Sequence, residues 1–146
     1  MKPFSMHAVL KYRKQLEDSA QQALHQALEA EMRLQEAVFR SEKELVELYT
    51  DLQQEQIQGT TVDRLRLFES RIDLERRELE TRQKELSKQQ AQVAKKRQML
   101  IKRSKDKKII EKLREQQNAA YARFLEKKEL AMLDEIAVLA HERKQH

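Results

Sequence analysis

Apolar residues recur at spacings of three and four along the first third of the chain: Met6, Leu10, Ala20, Leu24, Ala27, Leu34, Val38, Leu45, Leu48 and Leu52. That spacing marks one face of an α-helix. Arg13, Glu17 and Glu31 stand where the pattern asks for an apolar side chain. A second pattern is stricter. Leu65, Ile72, Leu79, Leu86, Val93 and Leu100 repeat every seven residues, the period of a left-handed coiled-coil seam. The half-heptad positions beside them, Phe68, Glu75, Arg82, Gln89, Lys96 and Arg103, are mostly polar. A helix with one apolar residue per heptad needs a partner to supply the rest of its core.

Between the two patterns stands Gly59, the only glycine; the only proline is Pro3. Glycine suits the left-handed conformation that ends a helix. Thr60 or Thr61 suits the cap of the next one, and Thr60-x-x-Asp63 has the spacing of a capping box with Asp in place of Glu. A C-cap followed at once by an N-cap reads as a tight turn between antiparallel helices. Ser5, just after Pro3, suits the start of the first helix.

The expected fold is all-α: a long antiparallel two-helix coiled-coil hairpin with the C-terminal helix longer. It forms a single domain, with helix 1 from about residue 5 to 58, the turn at about 59 to 61 and helix 2 from about 62 to 143. A reversal near Thr60 sets Leu48 opposite Ile72, Ser41 opposite Leu79, Leu34 opposite Leu86, Ala27 opposite Val93 and Ala20 opposite Leu100. The strict heptad of helix 2 thus falls on the seam of helix 1. In the layers between, Glu75, Arg82, Gln89 and Lys96 meet Leu45, Val38, Glu31 and Leu24. Their stems are expected to lie on the seam with their heads in water. Phe68 is expected to pack on Leu52.

In this register Met1 falls beside about Asn118, so helix 2 runs on without cover. The overhang carries Tyr121, Phe124, Leu125, Leu130, Met132, Leu133, Ile136, Val138 and Leu139. An apolar stripe with no internal partner points to another chain. A helix that bends back on itself and self-association through the overhang are the alternatives.

Composition narrows the function. One Gly and one Pro cannot supply the turns of a sheet protein. With no cysteine, disulfides and thiolate chemistry are excluded. No apolar run approaches the roughly 18 residues of a membrane span, and "MKPFSMHAVLKYRK" does not read as a signal peptide; a cytoplasmic protein is expected. No Gly-rich phosphate loop, GxSxG or HExxH is present, and a two-helix rod has no pocket to shift a carboxylate pKa. The chain therefore reads as a non-enzyme with no cofactor. His7, His25, His141 and His146 include no i,i+4 pair, so no metal is expected.

The net charge is +5. The block "KKRQMLIKRSKDKK" supplies Lys95, Lys96, Arg97, Lys102, Arg103, Lys105, Lys107 and Lys108, expected to project mostly outward. It suits an acidic protein surface, anionic lipid or nucleic acid. No aromatic residue interleaves to stack bases, so nucleic acid is not expected. Arg71, Glu75, Glu78 and Arg82, beyond Phe68, are expected to form an outward docking strip.

The opening "MKPFSMHAVLKYRKQLEDSAQQAL" and the closing "EKLREQQNAAYARFLEKKELAMLDEIAVLAHERK" resemble the two ends of the FliJ family of flagellar export proteins. The Leu-Asp-Glu-Ile-Ala element of that C-terminal helix is seen here as Leu133 to Ala137. The resemblance covers nearly the whole chain. It implies an antiparallel coil that works as the central stalk of the type III export ATPase at the cytoplasmic face of the inner membrane. The implied partners are the hexameric ATPase ring, the export-gate membrane protein and the export chaperones. Residues implied at the ring are Phe4, Leu10, Tyr121, Phe124, Leu133, Asp134, Glu135 and Ile136. Those implied at the gate are Phe68, Arg71, Glu75, Glu78 and Arg82. The stalk of a virulence-type secretion system, a generic scaffold or tether, and a basic coil binding lipid or nucleic acid through Lys95 to Lys108 are the alternatives.

Overall fold

The computed structural model describes residues 6–145, with side chains to residue 144. Pro3, Phe4 and Ser5 lie outside the described residues, and with them the expected Ser5 cap. Two helices account for nearly all of the described chain: α1, His7–Gln58, and α2, Val62–Gln145. The helices pack against each other, and α2 is the longer, 84 residues against 52. The first turn of α1 closes through the Leu10 N–H and the Met6 carbonyl, 3.0 Å apart.

Gly59 sits between the helices at φ 92°, in the region where a Cβ is penalised. Nothing lies within 4 Å of the Cβ position it lacks, so the demand for glycine there is one of backbone conformation, not of space. The cap that follows is Thr61, not Thr60. The Thr61 hydroxyl accepts the Arg64 N–H at 3.3 Å, and its carbonyl accepts the Leu65 N–H at 3.1 Å. The Thr60 hydroxyl is buried with no partner, so the Thr60–Asp63 capping box does not form. Asp63 still lies in the first turn of α2 and Arg143 and Lys144 in its last, each complementing the helix dipole.

The chain packs as two units, one of residues Ala20–Leu100 and one combining Met1–Ser19 with Ile101–His146. In the first, Ala20, Ala27, Val38, Ser41, Leu45 and Leu48 of α1 are buried together with Ile72 and Val93 of α2. Leu45, Leu48 and Ile72 form its densest cluster, with Leu52 and Leu79 packed against them. The heptad leucines at 65, 79, 86 and 100 are half-buried. The apolar layers thus sit where the seven-residue repeat puts them.

The polar layers behave differently from the expectation of heads in water. Arg82 turns across the seam: its guanidinium donates to the Ser41 hydroxyl, which is fully buried, and to the Ala37 carbonyl at 3.5 Å. Gln89 donates its amide to the Ala27 carbonyl at 3.0 Å. Side chains of α2 therefore reach the main chain of α1. A small Ser at position 41 leaves room for the guanidinium, which a leucine there would close. Glu75 has no such outlet, and its Oε1 is buried with no partner. Lys96 alone of the four remains exposed.

In the second unit the seam holds charge. Lys107 meets Glu17 at 2.8 Å and Glu111 at 3.7 Å, and Arg13 meets Asp106 at 3.4 Å. The Glu17 and Lys107 side chains are only 12% and 22% exposed, so solvent screens this pair less than a surface one. Hydrogen bonds from Lys107 and then Ser104 hold the Glu17 carboxyl below its ordinary pKa of 4.5. The same bond to Glu17 holds Lys107 above its ordinary 10.5. Ile110, three residues further on, is buried. Arg13 and Glu17, impurities in the apolar pattern, are thus partners of Asp106 and Lys107.

Two expectations follow. Replacing Glu75 by Leu removes a buried oxygen that nothing satisfies, and should stabilise the chain by about 1 kcal/mol, a rise in melting temperature of roughly 3–5 °C; an unchanged or lower melting temperature would contradict this account of the layer. Glu17, with a lowered folded pKa, contributes stability that is present above pH 4.5 and is lost as pH falls through the folded value. Lys107, with a raised one, contributes stability that is present below pH 10.5 and lost as pH rises through its folded value. Glu17→Gln should therefore melt below the parent at pH 7 and converge on it in acid; a gap that persists into strong acid would show that the pair is not the cause.

Candidate protein-interaction surface on helix α2

Beyond Tyr121, which is half-buried, every residue of α2 from 122 to 144 is exposed. Exposure alone would be unremarkable for a charged helix. Here it coincides with Phe124, Leu125, Leu130, Met132, Leu133, Ile136, Val138 and Leu139, which are 41–59% exposed. The run from Leu130 to Ala140 holds nine apolar residues, interrupted only by Asp134 and Glu135. At about 100° per residue the apolar side chains leave no sector of the helix wider than about 80° without one. Asp134 and Glu135 fall in the two widest gaps, so the apolar side chains spread over more of the circumference than a single packed stripe covers.

Lipid is not the natural medium for this run, whose 11 residues extend about 16 Å, half the thickness of a bilayer core. No helix among the described residues is long and apolar enough to cross a membrane. Asp134 and Glu135 stand next to each other in the run and are exposed. Ala120, Arg123, Phe124 and Lys127 line a shallow groove just before it.

The structure brings Tyr121, Phe124, Leu133, Asp134, Glu135 and Ile136 onto this one segment. Leu10, named with them, is half-buried; Phe4 lies outside the described residues. The strip after the turn divides. Arg71 and Glu78 are exposed, and Glu78 pairs loosely with Arg82 at 3.9 Å. Glu75 and Arg82 belong to the seam, which corrects the picture of a strip facing outward throughout. Phe68 is half-buried and lines a groove with Arg64, Leu67 and Arg71. Sequence reasoning passed over Leu67 and Leu74, which are 61% and 59% exposed. Their spacing of seven on an outer heptad position was the available signal.

The basic block is likewise divided. Lys95, Lys96 and Arg97 are exposed in the first unit. In the second, Lys102, Lys105 and Lys108 are exposed, Arg103 is half-buried and Lys107 is taken by Glu17. Lys107 is thus a seam residue and not an outward charge. No group of three or more His, Asp or Glu among the described residues is placed to hold a metal ion.

A long antiparallel pair of helices, the longer of which bears an exposed apolar segment, defines an all-α coiled-coil protein. The family model described as "Flagellar FliJ protein" matches residues 1–146, the whole chain, and the chain belongs to the FliJ family. Membership implies a role related to flagellar export. No curated protein and no solved structure matches the chain.

The uncovered segment has helical hydrogen bonds but no packing to support them. Its amides, at residues 125–140, should exchange with solvent at least roughly tenfold faster than those of residues 72–93. Equal protection in the isolated chain would mean that the segment is already covered.

Proposed function

We propose that the chain is the central stalk of the flagellar type III export ATPase. In this reading the C-terminal segment of α2, from Tyr121 through Ile136 and on to Leu139, enters the pore of the hexameric ATPase ring. The apolar circumference of residues 130–140 is the observation that carries it. A flat partner surface would need one apolar stripe; a surrounding pore would bury the whole circumference. Asp134 and Glu135 supply the polar contacts inside the pore, Phe124 packs at its rim among Arg123 and Lys127, and Leu10 of α1 lies near that end. Phe4 is assigned to the same end on family resemblance alone.

The gate contact of the same reading is assigned to the region after the turn. Arg71 and Glu78 offer charge there, and Phe68, Leu67 and Leu74 offer apolar surface. Glu75 and Arg82 act beneath them by fixing the seam. The stalk couples nucleotide turnover in the ring to the membrane export gate, and also receives export chaperones. Peripheral association with the inner membrane at the export apparatus follows from the gate contact. The flagellar description of the family favours this system over a virulence-type one.

Leu133 and Ile136 are exposed, so Leu133→Lys and Ile136→Lys should leave the hairpin's melting temperature unchanged. Together they should cut stimulation of the purified ATPase by at least about tenfold, a loss of about 1.4 kcal/mol of coupling. Truncation after Asn118 should abolish it. Full stimulation by the truncated chain would sink the proposal in favour of a scaffold that engages no ring.

A further inference from the structure

The hairpin has a second apolar seam, on the outer side of α1 and within the Ala20–Leu100 unit. Met32, Phe39 and Val46 follow one another at intervals of seven and are 61%, 65% and 64% exposed. Leu28, Gln35, Glu42 and Tyr49 follow at the same interval, three or four residues from each. Together they make a three-four repeat of about three heptads, which is the seam of a coiled coil. Yet α2 packs on a different face of α1, the one carrying Ala27, Val38, Leu45 and Leu48. Met32, Gln35, Glu36, Phe39 and Arg40 line an open groove on this outer side. The regular period calls for an α-helix as occupant, and the flanking charges say which.

Within the hairpin, the register that clusters Leu48 with Ile72 also places the Arg76 guanidinium over the Tyr49 ring, 5.6 Å from its centre. Tyr49 and Arg76 are each the residue that follows a seam position, so this is the flank contact of an antiparallel pair. Two copies of α1 can be laid antiparallel on the outer seam, with Val46 opposite Leu28 and Phe39 opposite Gln35. The same flank offset then brings Glu36 of each copy to Lys43 of the other. Two-fold symmetry makes that contact twice, as an isologous interface requires. Neither Glu36 nor Lys43 makes an ion pair within the described residues, whereas Glu29, one heptad earlier, is already engaged by His25 and Arg33.

We propose that residues 28–49 of α1 form a self-complementary surface on which a second copy of this chain docks antiparallel, with Phe39 near the two-fold axis and Glu36–Lys43 ion pairs on the flank. Gln35 and Glu42 dilute the seam, so the dimer forms reversibly and in the isolated chain rather than as an obligate state. The surface is separate from the C-terminal segment assigned to the ATPase ring and does not depend on that assignment.

Sedimentation of the full chain over a wide concentration range, with circular dichroism to confirm folding, tests the pairing. The parent should pass from monomer to dimer. Phe39→Lys should abolish the dimer without loss of helix, because Phe39 is exposed. Glu36→Lys places like charges together and should weaken association by at least about tenfold; Glu36→Lys combined with Lys43→Glu should restore it. The chain has no cysteine, so single spin labels report the register directly. Labels at Arg40→Cys should lie about 10 Å apart along the axis and those at Thr50→Cys about 40 Å. A chain that stays monomeric would mean that another protein's helix, or nothing, fills the seam. A dimer indifferent to Phe39→Lys, a double swap that fails to restore association, or equal label separations would overturn the proposal, as would a dimer held by the C-terminal segment.

Discussion

The seam between α1 and α2 has only one reliably apolar position per heptad on the α2 side, and everything else in the structure answers to that shortage. Layers led by Ile72 and Val93 exclude water. Layers led by Arg82 and Gln89 do not, and they hold the helices together by bonding to the partner's main chain. Such bonds specify register more sharply than leucines would. A slipped leucine finds another hole, whereas a slipped Arg82 loses both Ser41 and the Ala37 carbonyl. Leaving buried donors unmet is costlier than the modest gain from making the bond. The coil therefore draws stability from its apolar layers and alignment from its polar ones. Further along, in the other unit, Glu17 and Lys107 fill the same role with charge.

Much of this was legible in the sequence because it depends on period. The turn, the antiparallel pairing and the longer α2 follow from one glycine and six residues at intervals of seven. What period could not convey is where a long polar side chain goes once it reaches the seam. Water and the opposing backbone are both open to Arg82, and only the space left by Ser41 decides between them. The choice of Thr61 over Thr60 as cap is of the same kind, since both threonines fit the pattern. Glu75 stands both on a half-heptad seam position and within the charged run after Phe68, and period alone does not say which of the two roles prevails.

The surfaces differ in how far they can be read. Residues 130–140 are conspicuous because an apolar run that long has no use in water. The seam of Met32, Phe39 and Val46 is easily overlooked because it is diluted by charge and lies beside a stronger pattern on the same helix. Once the inner face of α1 is assigned to α2, what remains on the outer side becomes visible as a pattern of its own. A helix of 52 residues has room for two seams, and only the inner one is covered by α2.

The reversal at Gly59 also governs how the chain reaches its fold. Arg64 and Glu55, which pair across the turn, are nine residues apart, while Arg13 and Asp106 are 93 apart. Closing the longer loop unaided would be entropically expensive, but each layer formed nearer the glycine shortens the loop left for the next. The polypeptide can thus zip outward from a single bend, every step local once its predecessor is in place. One residue's freedom to adopt a left-handed backbone spares more than a hundred others a long-range search.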